Sequence, residues 1–201
     1  MSVNKKNVAV FVSGNGSNLQ SIIDSNIESA DLAVVVCNKP DAYAIQRAQN
    51  HGIPVEIIDH KGFDSREDFE KEIIDRIGKY NIHLVVLAGF MRILSPYFVR
   101  EYKGSIINIH PALLPAFPGV HSARQALDYG VKYTGCTVHF VDEGVDTGPI
   151  IIQAVVEVND NDSEESLLQK IHEQEHRIFP EAVRLFCENR LRIAGRRVFI
   201  D

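Results

Sequence analysis

Short apolar runs alternate with amphipathic stretches along most of the chain. The runs at 7–12, 32–37, 55–58, 83–88 and 105–109 are mostly β-branched, which predicts strands buried on both faces of a parallel sheet. Between them, 17–28, 42–50 and 65–79 carry helical spacing. Phe69, Ile73 and Ile77 recur at i, i+4 and i+8 and give the third helix one apolar face. Ser65 stands three residues before Asp68, a capping pattern with Asp in place of the usual Glu. The runs at 134–141 and 150–158 follow closely on one another and predict an antiparallel addition. A last helical segment extends from near Asp162 toward Asn189, and Pro180 is expected to bend or interrupt it. The expected architecture is α/β, with a doubly wound, mostly parallel sheet in one domain spanning 1–201. Such sheets bind ligands beyond the carboxyl ends of their strands.

Composition narrows the class. With 201 residues, 45% hydrophobic and 24% charged, the chain is long enough for one good core. A net charge of −6 and a pI of about 5.7 argue against a general nucleic-acid or membrane surface. Cys37, Cys136 and Cys187 are an odd number without paired spacing. Cys37 and Cys136 lie in apolar strand-like runs and are expected to be buried thiols, which suits a reducing cytosol. The basic start, residues 1–7, leads into only a short apolar run, so no signal peptide is expected, and no segment approaches the length of a membrane span. These features together predict a cytoplasmic protein.

The most informative stretch is Ile107-Asn108-Ile109-His110-Pro111. Residues i and i+2 of a strand share a face, so Asn108 and His110 stand side by side while Ile107 and Ile109 face the core. Pro111 ends the ladder because it has no N–H to donate. Two donors at a strand end suit a developing oxyanion, and one of them carries a proton near neutrality. A strand-end turn capped by Asn108 is the competing explanation.

Four other places carry candidate chemistry. Ser13-Gly14-Asn15-Gly16-Ser17-Asn18 follows the first strand, where glycines allow close backbone approach and the next helix offers N–H groups to an anion. The dinucleotide fingerprint fails here, since position 19 is Leu and Cys37-Asn38-Lys39 stands where an acid is needed. A P-loop fails too, because no lysine follows Gly16. A phosphate monoester site or a ligand-free turn remains. Ala88-Gly89-Phe90-Met91-Arg92-Ile93-Leu94-Ser95-Pro96 suits a flat ring held by backbone and an anionic tail held by Arg92, or a hydrophobic loop packed on the core. In Val141-Asp142-Glu143-Gly144-Val145-Asp146-Thr147-Gly148-Pro149, Asp146 lies deepest between turn residues. A carboxylate there can orient an imidazole, although acidic loops are usually only solvated. Glu175 falls within the stripe Leu168, Ile171, Ile178, Ala182 and Leu185, so it needs a partner, either a substrate amine or a buried arginine. His172-Glu173-Gln174-Glu175-His176 matches the helical pattern of zinc proteases. No histidine follows His176 as a third ligand, so a zinc hydrolase is the remote alternative.

Ser13-Gly14-Asn15-Gly16-Ser17-Asn18-Leu19-Gln20, Phe63-Asp64-Ser65-Arg66, the run 87–96, Asn108-Ile109-His110-Pro111 with Leu113-Leu114-Pro115, and Asp146 with Gly148-Pro149 resemble the phosphoribosylglycinamide formyltransferases, in order and over almost the whole chain. The resemblance implies a Rossmann-like formyltransferase fold, with the ribonucleotide site in the N-terminal half and the folate and catalytic site in the C-terminal half. It implies transfer of a formyl group from 10-formyltetrahydrofolate, as co-substrate, to the amine of glycinamide ribonucleotide in purine synthesis. By that resemblance Asn108, His110 and Asp146 match the catalytic trio. Gly16, Ser17, Asn18 and Glu175 match ribonucleotide contacts. Arg66, Met91, Arg92, Ile93, Leu94 and Asn108 match folate contacts. Position 172 is a histidine where some relatives carry lysine.

Other folate-dependent enzymes share the Asn-x-His…Asp core, among them methionyl-tRNA formyltransferases, sugar-amine formyltransferases and formyltetrahydrofolate deformylases. The first carry an added tRNA domain and lack the glycine-rich loop; the last carry an added N-terminal domain. The phosphate loop suits the sugar enzymes less well. The expected partners are therefore the two small substrates, with no metal, nucleic acid or membrane, for a monomer or homodimer. Roles for His121, His172 and His176 are not assigned by the pattern.

Overall fold

The computed structural model describes residues 5–201; the first four residues of the basic N-terminal stretch lie outside the described residues. The fold is α/β and forms two compact units, one up to Ile107 and one of Asn108–Asp201.

The first unit is a parallel βα array. Its strands are β1 (Lys6–Val12), β2 (Ala30–Cys37), β3 (Val55–Ile57) and β4 (Leu84–Leu87), in the order β3-β2-β1-β4. All three pairings are parallel. Val8 to Val12 and Val34 to Cys37 are fully buried, as continuous apolar strands require. The helices are α1 (Ser17–Asp24), α2 (Tyr43–Asn50), α3 (Arg66–Gly78) and α4 (Pro96–Glu101), with one 3-10 turn at His60–Gly62. Ser65 accepts from Asp68 N–H at 3.1 Å and donates to its carboxylate at 2.7 Å, so the predicted helix start is present. β1 has β2 on one side and β4 on the other, and the connections reverse direction there. The crevice beyond such a reversal is where open α/β sheets hold ligands, and the loops after β1 and β4 both end there.

The strand β5 (Ile106–His110) begins in the first unit and ends in the second. The second unit continues with α5 (Ser122–Tyr129), β6 (Tyr133–Phe140), β7 (Ile150–Glu157), α6 (Glu164–Cys187), β8 (Leu191–Ala194) and β9 (Arg197–Ile200). β6 and β7 are antiparallel as expected, whereas β8 and β9 form an unanticipated hairpin with β9 parallel to β7. The sheet here is mixed. α6 packs against β6 and β7.

α6 corrects one expectation. It runs unbroken for 24 residues through Pro180. Ile178, Phe179, Pro180, Ala182 and Val183 are all buried, so packing on both sides of the ring outweighs the missing hydrogen bond. The stripe also shifts at its start, where Leu167 is buried and Leu168 only partly so. All three cysteines are buried and free. Among the described residues no helix is long and apolar enough to cross a membrane.

Candidate active site

In the first unit, two loops leave the neighbouring ends of β1 and β4. The glycine-rich loop enters α1 through Gly16, whose φ of 77° is left-handed, a conformation that glycine adopts at no steric cost. α1 has no side-chain cap, which leaves its first N–H groups to an outside acceptor. Ser17 and Asn18 occupy the first turn. α2 holds the loop from below: Ala44 N–H donates to Gly14 O at 3.1 Å, and Arg47 donates to the carbonyl and side chain of Asn15 at 2.9 and 3.0 Å.

The second loop presents Met91 and Ile93, 68% and 59% exposed, beside buried Phe90 and Leu94. Two large apolar side chains held in solvent on one loop form a surface that suits an apolar ligand. The Arg92 Nε is buried and makes no hydrogen bond, a cost unless an acceptor arrives. Arg66 is exposed at the start of α3. The residues expected to meet folate at 66 and 91–94 thus lie in the first unit, not in the C-terminal half.

The second unit gathers a separate polar cluster. Asn108 and His110 leave β5 on one face, as the alternation predicts. His110, 4% exposed, has its Nδ1 3.4 Å from Asp146 Oδ2. Its Nε2 donates to Phe117 O at 2.8 Å. Both ring nitrogens face acceptors only, the surroundings a doubly protonated imidazole needs.

Asp146 has a left-handed φ of 55°, which Asp tolerates better than most residues. Its neighbours explain how: Asp142 accepts from Gly144 N–H and the Thr147 hydroxyl at 3.1 and 2.6 Å, and a Cβ on Gly148 would sit 1.7 Å from Phe140 O. Asp142 builds the loop, and Asp146 is left to face the histidines. Gly119 N–H donates to Asp146 Oδ2 at 2.8 Å. Burial alone would raise the Asp146 carboxyl, but His139, Gly119 N–H and His110 outweigh it and hold it below its usual range.

His139 was not singled out in the sequence. It is 2% exposed on β6. Its Nδ1 faces Phe140 O at 2.8 Å, and its Nε2 lies 3.3 Å from Asn108 Nδ2 and 3.7 Å from Asp146 Oδ1. Nδ1 donates to that carbonyl, and Nε2 faces both the Asn108 side chain and the carboxylate beside His110. The only available signal was one imidazole within a strand-like run.

Glu175 is buried on α6, 3% exposed, with His172 Nε2 4.0 Å away. The Cys136 thiol is pushed up to about 12, first by burial and then by the Glu175 charge. His172 and His176 stack with ring centroids 6.4 Å apart, and no group of three or more metal-ligating side chains gathers among the described residues. His121 starts α5 with a φ of 59° and lies on the surface.

Comparison with known proteins gives one answer throughout. A family model described as formyl transferase matches residues 6–183. Phosphoribosylglycinamide formyltransferase of Escherichia coli is 44% identical over 198 residues, covering 97% of this chain and 93% of that protein. The trifunctional purine biosynthetic protein adenosine-3 of Drosophila melanogaster is 50% identical over 188 residues, 91% of this chain, but the chain spans only 14% of that protein. The crystal structure of glycinamide ribonucleotide transformylase 1 from Symbiobacterium toebii superposes with a TM-score of 0.95 at 46% identity, over 98% of this chain and 94% of that one.

Proposed function

The chain belongs to the formyl transferase family, and from that premise we propose that it transfers a formyl group from 10-formyltetrahydrofolate to the amine of 5-phosphoribosylglycinamide in purine biosynthesis. The observation that carries the reading is His110 held between Asp146 and the Phe117 carbonyl, with Asn108 on the same strand face.

In this proposal the substrate amine attacks the formyl carbon directly, with no covalent enzyme intermediate. Negative charge then grows on the formyl oxygen. Asn108 Nδ2 and the charged His110 donate to it. The Phe117 carbonyl is the exchangeable partner of His110 Nε2, because an oxyanion is the stronger acceptor and a charge-assisted bond is roughly twice as strong as a neutral one. Asp146 stays in place and keeps the ring charged. His110 then helps to pass a proton to the departing folate nitrogen. No step uses a metal.

The binding residues follow the chemistry of each substrate. Gly16, Ser17 and Asn18 receive the ribonucleotide phosphate at the uncapped end of α1. Glu175 meets the attacking amine. Met91, Ile93 and Leu94 hold the folate ring, with Arg66 and Arg92 on its carboxylates and Asn108 at its formyl end. Free thiols suit the reducing cytoplasm. Purified protein given both substrates should release the deformylated folate, followed by absorbance, only when the ribonucleotide amine is present. Release without the amine would make it a deformylase, and use of a sugar amine in its place would make it a sugar formyltransferase.

A further inference from the structure

Two glutamates are buried among the described residues, Glu70 and Glu175. The catalytic proposal uses only the second. Glu70 is 1% exposed on α3, and a carboxylate so placed needs strong partners. It has two. Ser95 N–H donates to Oε1 at 2.7 Å, and the Ser95 hydroxyl donates to Oε2. Both belong to one residue, at the junction where the loop after β4 becomes α4. Burial pushes the Glu70 carboxyl up, and the two Ser95 donors and the Arg66 charge oppose this.

The other end of the same loop is also fixed. Met91 N–H donates to Ser13 Oγ at 2.8 Å, and Ser13 Oγ donates to Asn38 Oδ1 at 2.5 Å. Ser13 N–H donates to Gly89 O at 3.1 Å. The exposed pair Met91 and Ile93 and the unpartnered Arg92 Nε lie between these two clamps. Arg66 stands one helical turn before Glu70 on the same face of α3.

We propose that Glu70 is a positioning residue for folate binding: its carboxylate ties the Met91–Leu94 segment to the helix that carries Arg66 and so assembles the folate surface of the first unit before the ligand arrives. Ser13 does the same at the loop's other end. A loop ordered in advance spares the ligand the cost of ordering it. This inference rests on the folate role proposed above for Arg66 and 91–94.

The test is steady-state kinetics on Glu70→Ala and Glu70→Gln, with thermal unfolding alongside. Glu70→Ala should raise the folate KM on the order of tenfold, the cost of ordering one or two long side chains at binding. Its kcat and ribonucleotide KM should stay near wild type, because Asn108, His110, Asp146 and the glycine-rich loop are untouched. Glu70→Gln should keep a near-normal folate KM, since the amide oxygen still accepts from Ser95 N–H and the amide nitrogen can donate to Ser95 Oγ. An unchanged folate KM in Glu70→Ala, an equal rise in both KM values, or a Gln variant as impaired as Ala would each overturn the proposal. If Glu70→Ala does not fold, Ser95→Ala, which removes the hydroxyl that donates to Glu70, takes its place, with the same split expected and the same result overturning it. Wild-type protein that neither binds nor turns over the folate would instead sink the functional reading.

Discussion

His110 at the end of β5 and Asp146 in the loop after β6 meet at 3.4 Å, and the second acceptor on His110, Phe117 O, lies at 2.8 Å on the opposite nitrogen. Both ring nitrogens therefore face acceptors. In the proposed chemistry His110 is both an oxyanion donor and a proton carrier, and that sets the first expectation. His110→Ala should lower kcat by at least about 10²–10³, the typical cost of one oxyanion donor. Calorimetric affinities for both substrates should change little. A variant within a few-fold of wild type would refute the role.

Gly16 does two jobs that need separate tests. A Cβ there would lie 2.7 Å from Ala44 Cβ and 3.0 Å from Ala44 Cα, at a φ of +77°. Gly16→Ala should therefore destabilise the fold by about 1–3 kcal/mol through strain and overpacking, whatever it does to phosphate binding. Ser17→Ala is the cleaner probe. It should raise the ribonucleotide KM while the thermal midpoint and folate KM hold steady. A Ser17→Ala variant that weakens only the folate would mean the two half-sites are assigned the wrong way round.

The core of this picture was legible where local chemistry decides the outcome. Apolar β-branched runs became β1 to β5 within a residue or two, and Asn108 and His110 do share a face. Asp146 was picked from three acids by its turn neighbours, and Asp142 proves to be the loop-former. Four things were missed for physical reasons. Pro180 reads as a break, yet tertiary packing keeps α6 continuous through it. The β8–β9 hairpin turns through Gly195 at a φ of 60° followed by Arg196, a two-residue turn signal of the expected kind, but its strands are short and half-exposed. Glu70 carried the same signal that marked Glu175, a carboxylate beside the apolar stripe of Ile73 and Ile77 on α3. Its partner Ser95 is 25 residues away, and no local pattern reveals a bond of that span. His139 is the same case.

The two histidines at positions 172 and 176 stack on each other, and nothing in the proposed chemistry routes through them. Activity should survive exhaustive chelation, and elemental analysis should find no stoichiometric zinc. Loss of activity with EDTA that zinc restores would revive a metal site on α6.

Asp146→Asn separates an orienting carboxylate from a merely acidic loop. Asn tolerates the left-handed φ at this position, and its side-chain oxygen can still accept from Gly119 N–H, so the loop should stay folded. The Asp146 oxygen that accepts from Gly119 N–H is also the one that faces His110 Nδ1, so the amide oxygen takes that place and the amide nitrogen falls on the His139 side. His110 Nδ1 keeps an acceptor but loses the negative charge that favours the charged ring. Less of the charged ring should be present at neutral pH, and the alkaline limb of kcat should move to lower pH. The stability effect has its own sign. The Asp146 carboxyl is held below its usual range, so its contribution is fully present above the unfolded-state value and is lost as pH falls through the folded one. The stability gap between wild type and Asp146→Asn should therefore narrow in acid. NMR of the His110 ring at fixed neutral pH, beside the pH–rate profile, reads the protonation directly. An unchanged imidazolium population and an unmoved alkaline limb would reduce Asp146 to a structural loop residue.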